Sequence, residues 1–187
     1  MDTITLLLVA IVAALAGGAA VYFLQRQRSV HLRERFGPEY DRTRTEVGDP
    51  RRAEAVLAAR ERRVEKLHIR PLTPEERAQF SEVWRHVQAL FVDDPKGAIR
   101  EADGLVNQVM SARGYPMADF AQRQADISVD HPVVVEHYRA ARRIADLNQA
   151  GTANTEDLRQ AVIHYRALFE ELLEHHAPDT KPIHARR

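Results

Sequence analysis

Twenty-one consecutive residues, 4–24 (ITLLLVAIVAALAGGAAVYFL), opened by Ile4 and closed by Leu24, contain no ionisable side chain other than Tyr22. As a helix rising about 1.5 Å per residue, such a run is about 31 Å long, which matches the roughly 30 Å hydrocarbon layer of a bilayer. A secretory signal peptide would have a basic leading segment and an apolar core of roughly 7 to 15 residues. Here Met1, Asp2 and Thr3 lead, the apolar run is longer, and the positive charges follow it at Arg26, Arg28, Arg33 and Arg35. These features predict a retained transmembrane anchor. Its Leu, Ile, Val and Phe side chains, at roughly 0.3 to 0.6 kcal/mol each, favour insertion by about 3 to 7 kcal/mol, of which Gly17 and Gly18 take some back. Lys and Arg beside a span stay in the cytoplasm. The expected topology is therefore a single pass through the inner membrane, with the N-terminus outside and residues 25–187 cytoplasmic.

Within the run, Ala10, Ala14 and Gly18 recur at every fourth position, as do Ala13 and Gly17. A face of small residues lets two helices approach closely and is open to self-association, although Ala and Gly are also common in membrane spans at large.

Behind the anchor, about 160 residues suffice for one domain with a sizeable core. The chain has no cysteine, which excludes disulfides, thiolate metal sites and a Cys nucleophile. Its net charge is zero but unevenly laid out: residues 26–70 carry 13 Lys/Arg against 8 Asp/Glu, while residues 71–187 carry 14 against 18. The basic part next to the anchor fits anionic lipid headgroups, which attract each nearby Lys or Arg by about 1 kcal/mol. Nucleic acid is not the expected partner, since acidic residues interrupt the arginines and no recognition motif accompanies them. A plain solvated helix face is the simplest account of the same charges.

Proline, glycine and capping residues divide the remainder into helices. Gly37 and Pro38 stop the anchor helix near Phe36, and a short helix from Pro38 ends at Gly48. Asp49 and Pro50 open a third helix over 50–67, with Ala53, Leu57, Val64 and Leu67 on one stripe that Arg60 interrupts. An extended connector at residues 69–72 marks a domain boundary. Thr73, Pro74 and Glu76 make a capping box for a helix to Phe91 bearing Phe80, Val83, Trp84, Val87, Leu90 and Phe91 on one face. Asp94 and Pro95 begin the next, with Ile99, Ala102, Leu105, Val106, Val109 and Met110 inward and Gly114 closing it. A short helix over 117–127 anchored by Phe120 follows. A further helix then bears Val134, Val135, Tyr138, Ala141, Ile144 and Ala145. Thr155 caps a last helix that buries Leu158, Ala161, Val162, Tyr165, Leu168, Phe169 and Leu172. The expected fold class is all-α: a transmembrane helix (1–25), charged juxtamembrane helices (26–70), an up-down helical bundle (71–176) and a loose tail (177–187).

For chemistry, the densest polar constellation is Asp119, Asp126, Asp130, His131, Glu136 and His137. Carboxylates and imidazoles are metal ligands and acid/base groups, so Asp126, Asp130, His131 and His137 are candidate metal-ligating residues. Against this, they share no single helix face, and no metalloprotease, phosphate-loop, calcium-loop or nucleophile motif is present. Asp130 then serves as a helix cap and His137 points to solvent. His164 reads as a half-buried, hydrogen-bonded histidine, because the Glu-x-x-His of bundle metal sites is missing there. His175, His176 and His184 suit a helix C-terminus or weak metal binding.

The strings LRERFGPEYDRT (32–43), IRPLTPEER (69–77), FVDDP (91–95), RGYP followed by DF (113–120), SVDHP (128–132) and EDLRQAVIHYRALFEELL (156–173) resemble a family of uncharacterised bacterial proteins, usually labelled as membrane or secreted. The resemblance spans nearly all of the chain from residue 26 and implies no activity, cofactor or catalytic residue. Together, these readings lead to a membrane-anchored, non-enzymatic protein-interaction or scaffold module with no cofactor. The alternatives are a metal-binding protein or enzyme using the Asp126 to His137 region, and a lipid- or nucleic-acid-binding surface at residues 26–70.

Overall fold

Glycine and proline punctuation sets the helix order. In the computed structural model, which describes residues 3–117 and 119–174 but not the side chains of residues 3–10 and Ala14, eight α-helices follow one another. They are α1 (Thr3–Phe36), α2 (Pro38–Val47), α3 (Pro50–Val64), α4 (Pro74–Asp93), α5 (Pro95–Ala112), α6 (Phe120–Asp130), α7 (Val135–Gln149) and α8 (Thr155–Glu174). The chain divides into two compact units, Met1–Ala58 and Ala59–Arg187. The division falls within α3, whereas the change in hydropathy pattern comes later, at the connector before Thr73.

In the first unit, Gly37 turns the chain between α1 and α2 at φ 46°, in the region that only glycine enters at little cost. Gly48 closes α2 in the left-handed conformation, its N–H donating to the Arg44 carbonyl. Asp49 accepts a 2.7 Å bond from the Arg52 N–H and so caps α3. Leu32, Phe36, Tyr40, Ala53, Leu57 and Ala58 are buried, and the Tyr40 hydroxyl donates to Glu54 Oε1 at 2.8 Å. Upstream the pattern reverses. Ile11, Val12, Leu15, Val21, Tyr22, Phe23 and Leu24 are all more than half exposed, and at 100° per residue they project from every side of α1. A side chain on Gly17 or Gly18 would meet nothing within 4 Å. Among the described residues, no helix is long and apolar enough to cross a membrane. Much of the apolar run, residues 4–10 and Ala14, lies outside the described side chains, and so do two members of the small-residue stripe, Ala10 and Ala14.

The second unit is a helical bundle in which α5 packs against α4, α7 and α8, and α6 lies on α7. Its start is a capping box: the Glu76 N–H donates to Thr73 Oγ1, and the Glu76 carboxylate accepts from the Thr73 N–H. Arg70 forks onto both Glu76 oxygens and, with that backbone bond, holds the Glu76 pKa down at about 2. The core joins Trp84, Val87, Ile99, Leu105, Val109, Met110, Ile127, Tyr138, Leu168 and Phe169 with smaller neighbours, and the Trp84 and Phe169 rings stack with centroids 5.1 Å apart. The six inward residues read on α5 are all buried, whereas on α4 Val83 is 38% exposed because Phe80, Leu90 and Phe91 cover the core's edge instead.

Three boundaries differ from the sequence reading. Helix α8 is capped by Asn154, whose side chain and N–H exchange bonds with Asp157, and Thr155 is its first helical residue. Helix α6 starts and ends three residues late, because Asp119 caps it through the Gln122 N–H at 2.8 Å. Asp130 therefore closes α6 and does not cap α7. Helix α3 ends at Val64, with tighter turns carrying the chain to Leu67.

Gly114 is the most constrained glycine. It sits at φ +96°, and a Cβ there would lie 2.4 Å from the His68 carbonyl oxygen, on a connector that also donates its Arg70 N–H to the Arg113 carbonyl. Gly114→Ala therefore combines a left-handed φ with a backbone clash. It should cost about 2 to 3 kcal/mol, read as a lower urea midpoint by circular dichroism.

Candidate functional site

The turn after α5 and the end of α6 bring together the polar residues singled out in the sequence, with partners from far along the chain. His131 follows α6 directly and is buried. Its Nδ1 lies 3.1 Å from Glu171 Oε1 on α8 and its Nε2 lies 3.3 Å from an Arg113 terminal nitrogen. A guanidinium only donates and a carboxylate accepts, so this pairing selects the neutral imidazole carrying its proton on Nδ1. Arg113, 1% exposed, donates from the same nitrogen to the Leu172 carbonyl at 3.0 Å and stands 6.0 Å from the Tyr115 ring centre. It thereby ties the turn after α5 to the backbone of α8. The Tyr115 hydroxyl donates to Asp130 Oδ2 at 2.9 Å, and burial first, with the Asp130 charge second, pushes its pKa well up.

Asp126, one turn earlier and fully buried, accepts at Oδ1 from Arg63 Nε at 2.8 Å and from Gln122 Nε2 at 2.7 Å, while its Oδ2 is enclosed without a partner. Arg60 reaches the neighbouring Ser128 hydroxyl at 3.4 Å. The charged position that interrupts the apolar stripe of α3 thus packs as a polar contact on α6.

His137 stands apart from this cluster. On α7 its Nδ1 lies 2.9 Å from Nδ1 of His164 on α8, so one imidazole donates to the other and His137 does not project freely into solvent. Burial, then the His137 charge and Arg143, lower the His164 pKa. Asp119 serves as a helix cap, and Glu136 pairs with Arg139. A half-buried carboxylate, Asp103 on α5, accepts from Tyr165 at 2.9 Å and from Arg142 at 3.3 Å, and burial raises the Tyr165 pKa.

Of the four candidate metal ligands, then, Asp126 and His131 are enclosed among Arg63, Gln122, Arg113 and Glu171, Asp130 is bonded to Tyr115, and His137 is paired elsewhere. Among the described residues, no three His, Asp or Glu side chains are grouped closely enough to hold a metal ion. His175, His176 and His184 lie outside the described residues. Arg113, Arg63, Tyr115, Asp103 and Glu171 carried no sequence signal, because their partners lie 15 to 63 positions away. The arrangement acts as a set of interhelical clamps, satisfying buried polar groups and fixing helix ends.

Comparison of the chain with protein-family models, with curated proteins and with solved structures finds no match to any of them.

Proposed function

We propose that this chain is a single-pass, membrane-anchored helical protein that works by holding a protein partner and not by catalysis. The observation that carries the anchor is the ring of large apolar side chains on α1. Seven of them, from Ile11 to Leu24, are more than half exposed on all sides of one helix. Fully burying a side chain of this size is worth about 1.5 to 3 kcal/mol, so leaving them in water forgoes roughly 10 kcal/mol that hydrocarbon would supply. A helix apolar all round suits lipid or a protein core, and among the described residues these side chains stay exposed. Four arginines follow within the next eleven residues, which favours a cytoplasmic C-terminal side.

The interaction reading rests on the second unit. Of its polar candidates, Asp126 and His131 are buried and engaged in clamps, and Asp130 and His137 are half-buried and bonded to neighbouring side chains. Its surface does offer a groove of about 400 Å³ between α4 and α8, floored by Trp84 and Phe169 and edged by Arg77, Arg85 and Glu170. An apolar floor with charged edges of both signs suits an amphipathic helix of a partner.

Fractionation tests the anchor. The full chain should stay in the membrane pellet through alkaline carbonate, and Leu15→Arg with Val12→Arg should release most of it. A fluorescent reporter fused after Arg187 should be active and a periplasmic phosphatase there silent; release of the wild type by carbonate, or an active phosphatase, would refute the anchor or its orientation respectively.

A further inference from the structure

We infer that the first unit carries a site for the phosphodiester of a phospholipid headgroup, in the cleft between the end of the apolar run and the first turn of α3. This inference rests on the membrane anchor proposed above and adds a specific ligand to it. The cleft measures about 400 Å³ and is lined by Gln25, Arg28 and Ser29 from α1 and by Pro50, Arg51 and Glu54 from α3.

Depth is the first argument. Arg28 follows Leu24 by four residues, about 6 Å along the helix. The polar layer on each side of the hydrocarbon is about 5 to 7 Å thick, so Arg28 lies at headgroup level, and the cleft brings Arg51 beside it. Charge is the second. Both guanidiniums are exposed, and neither has an ion-pair partner among the described residues, whereas Arg33, Arg42, Arg63, Arg70 and Arg142 do. Two forked donors converging on one cleft match the unesterified oxygens of a phosphodiester. The third is Glu54, one turn after Arg51 on α3. Glu54 has Oε1 engaged by the Tyr40 hydroxyl, and a carboxylate there accepts from the hydroxyls of a glycerol headgroup while the arginines hold the phosphate.

The test uses the full chain in detergent micelles, with phosphatidylglycerol, phosphatidylcholine, glycerol 3-phosphate or inorganic phosphate added, and native mass spectrometry counting bound molecules. Phosphatidylglycerol should be retained over phosphatidylcholine, and Arg28→Gln/Arg51→Gln should weaken its retention about ten- to thirtyfold, as expected from about 1 kcal/mol per basic residue. Arg26→Gln/Arg44→Gln, which removes equal charge outside the cleft, should leave retention within about twofold. Equal loss in both double variants would reduce the site to diffuse charge and overturn the proposal. So would retention unchanged in Arg28→Gln/Arg51→Gln, or inorganic phosphate binding as tightly as the lipid. A chain that never enters membranes overturns the anchor and this site together; one that enters but shows no cleft-dependent retention overturns the site alone.

Discussion

Trp84→Ala should lower the unfolding free energy of the full chain by about 3 to 5 kcal/mol, the range for deleting a large buried aromatic. Trp84 is 6% exposed, and its ring lies on Phe169 at 5.1 Å and 21°, so it joins α4 to α8. Truncation removes the transfer energy of the indole, the stack, and the contacts of a side chain its neighbours cannot replace without shifting. Trp84→Phe keeps an aromatic plane over Phe169 and should lose about 1 to 2 kcal/mol. Urea unfolding in mild detergent, followed by circular dichroism, reads both. A Trp84→Ala midpoint within error of the wild type would mean that the α4–α8 seam does not hold the bundle.

Arg113→Ala should cost a similar amount, about 3 to 5 kcal/mol, for a different reason. Nothing apolar of value is lost. Instead, the Leu172 carbonyl on α8 and Nε2 of His131 each lose the Arg113 hydrogen bond inside the protein, at about 1 to 3 kcal/mol apiece, around a space the guanidinium had filled. Arg113→Lys supplies one nitrogen on a different stem where the guanidinium reaches two acceptors, so it should recover less than half of the loss. Arg113→Met tests the converse. If it proves as stable as the wild type, the turn needs volume and not hydrogen bonds. Amide exchange near Leu172 should rise in the alanine variant even under conditions where the bundle stays folded.

The two effects show what was legible in the residues alone. Trp84 stands on a 3.6-residue apolar stripe behind a Thr73–Glu76 capping box, and both the helix and its inward face follow from those local facts. The same holds for α5, whose six inward side chains are all buried. Caps were legible where residue type decided them, as at Asp49 and Asp94, and slipped where two adjacent residues competed. Asn154 and Thr155 both suit an N-cap, and the reciprocal bonds with Asp157 select Asn154.

Arg113 shows the opposite case. By sequence it is a polar residue before a helix-ending glycine, yet it is among the most completely buried side chains in the chain. Asp126, Asp130 and His131 stood out as a constellation, but their identity as ligands or clamps depended on who faced them. Arg63 and Glu171 answer that from 63 and 40 positions away. His137 meets His164 only because α7 and α8 lie side by side.

By itself, then, the sequence determined the helices, their ends to within a turn, their buried faces, and an apolar segment with no charged face. Those properties depend on backbone preferences and on periodicity, which act over four or five residues. The tertiary structure decided which cation meets the buried Asp126, which carbonyl the Arg113 guanidinium reaches, and which imidazoles pair across α7 and α8. Such pairings act through space at about 3 Å, and the order of residues along a chain does not record which distant side chains will come that close.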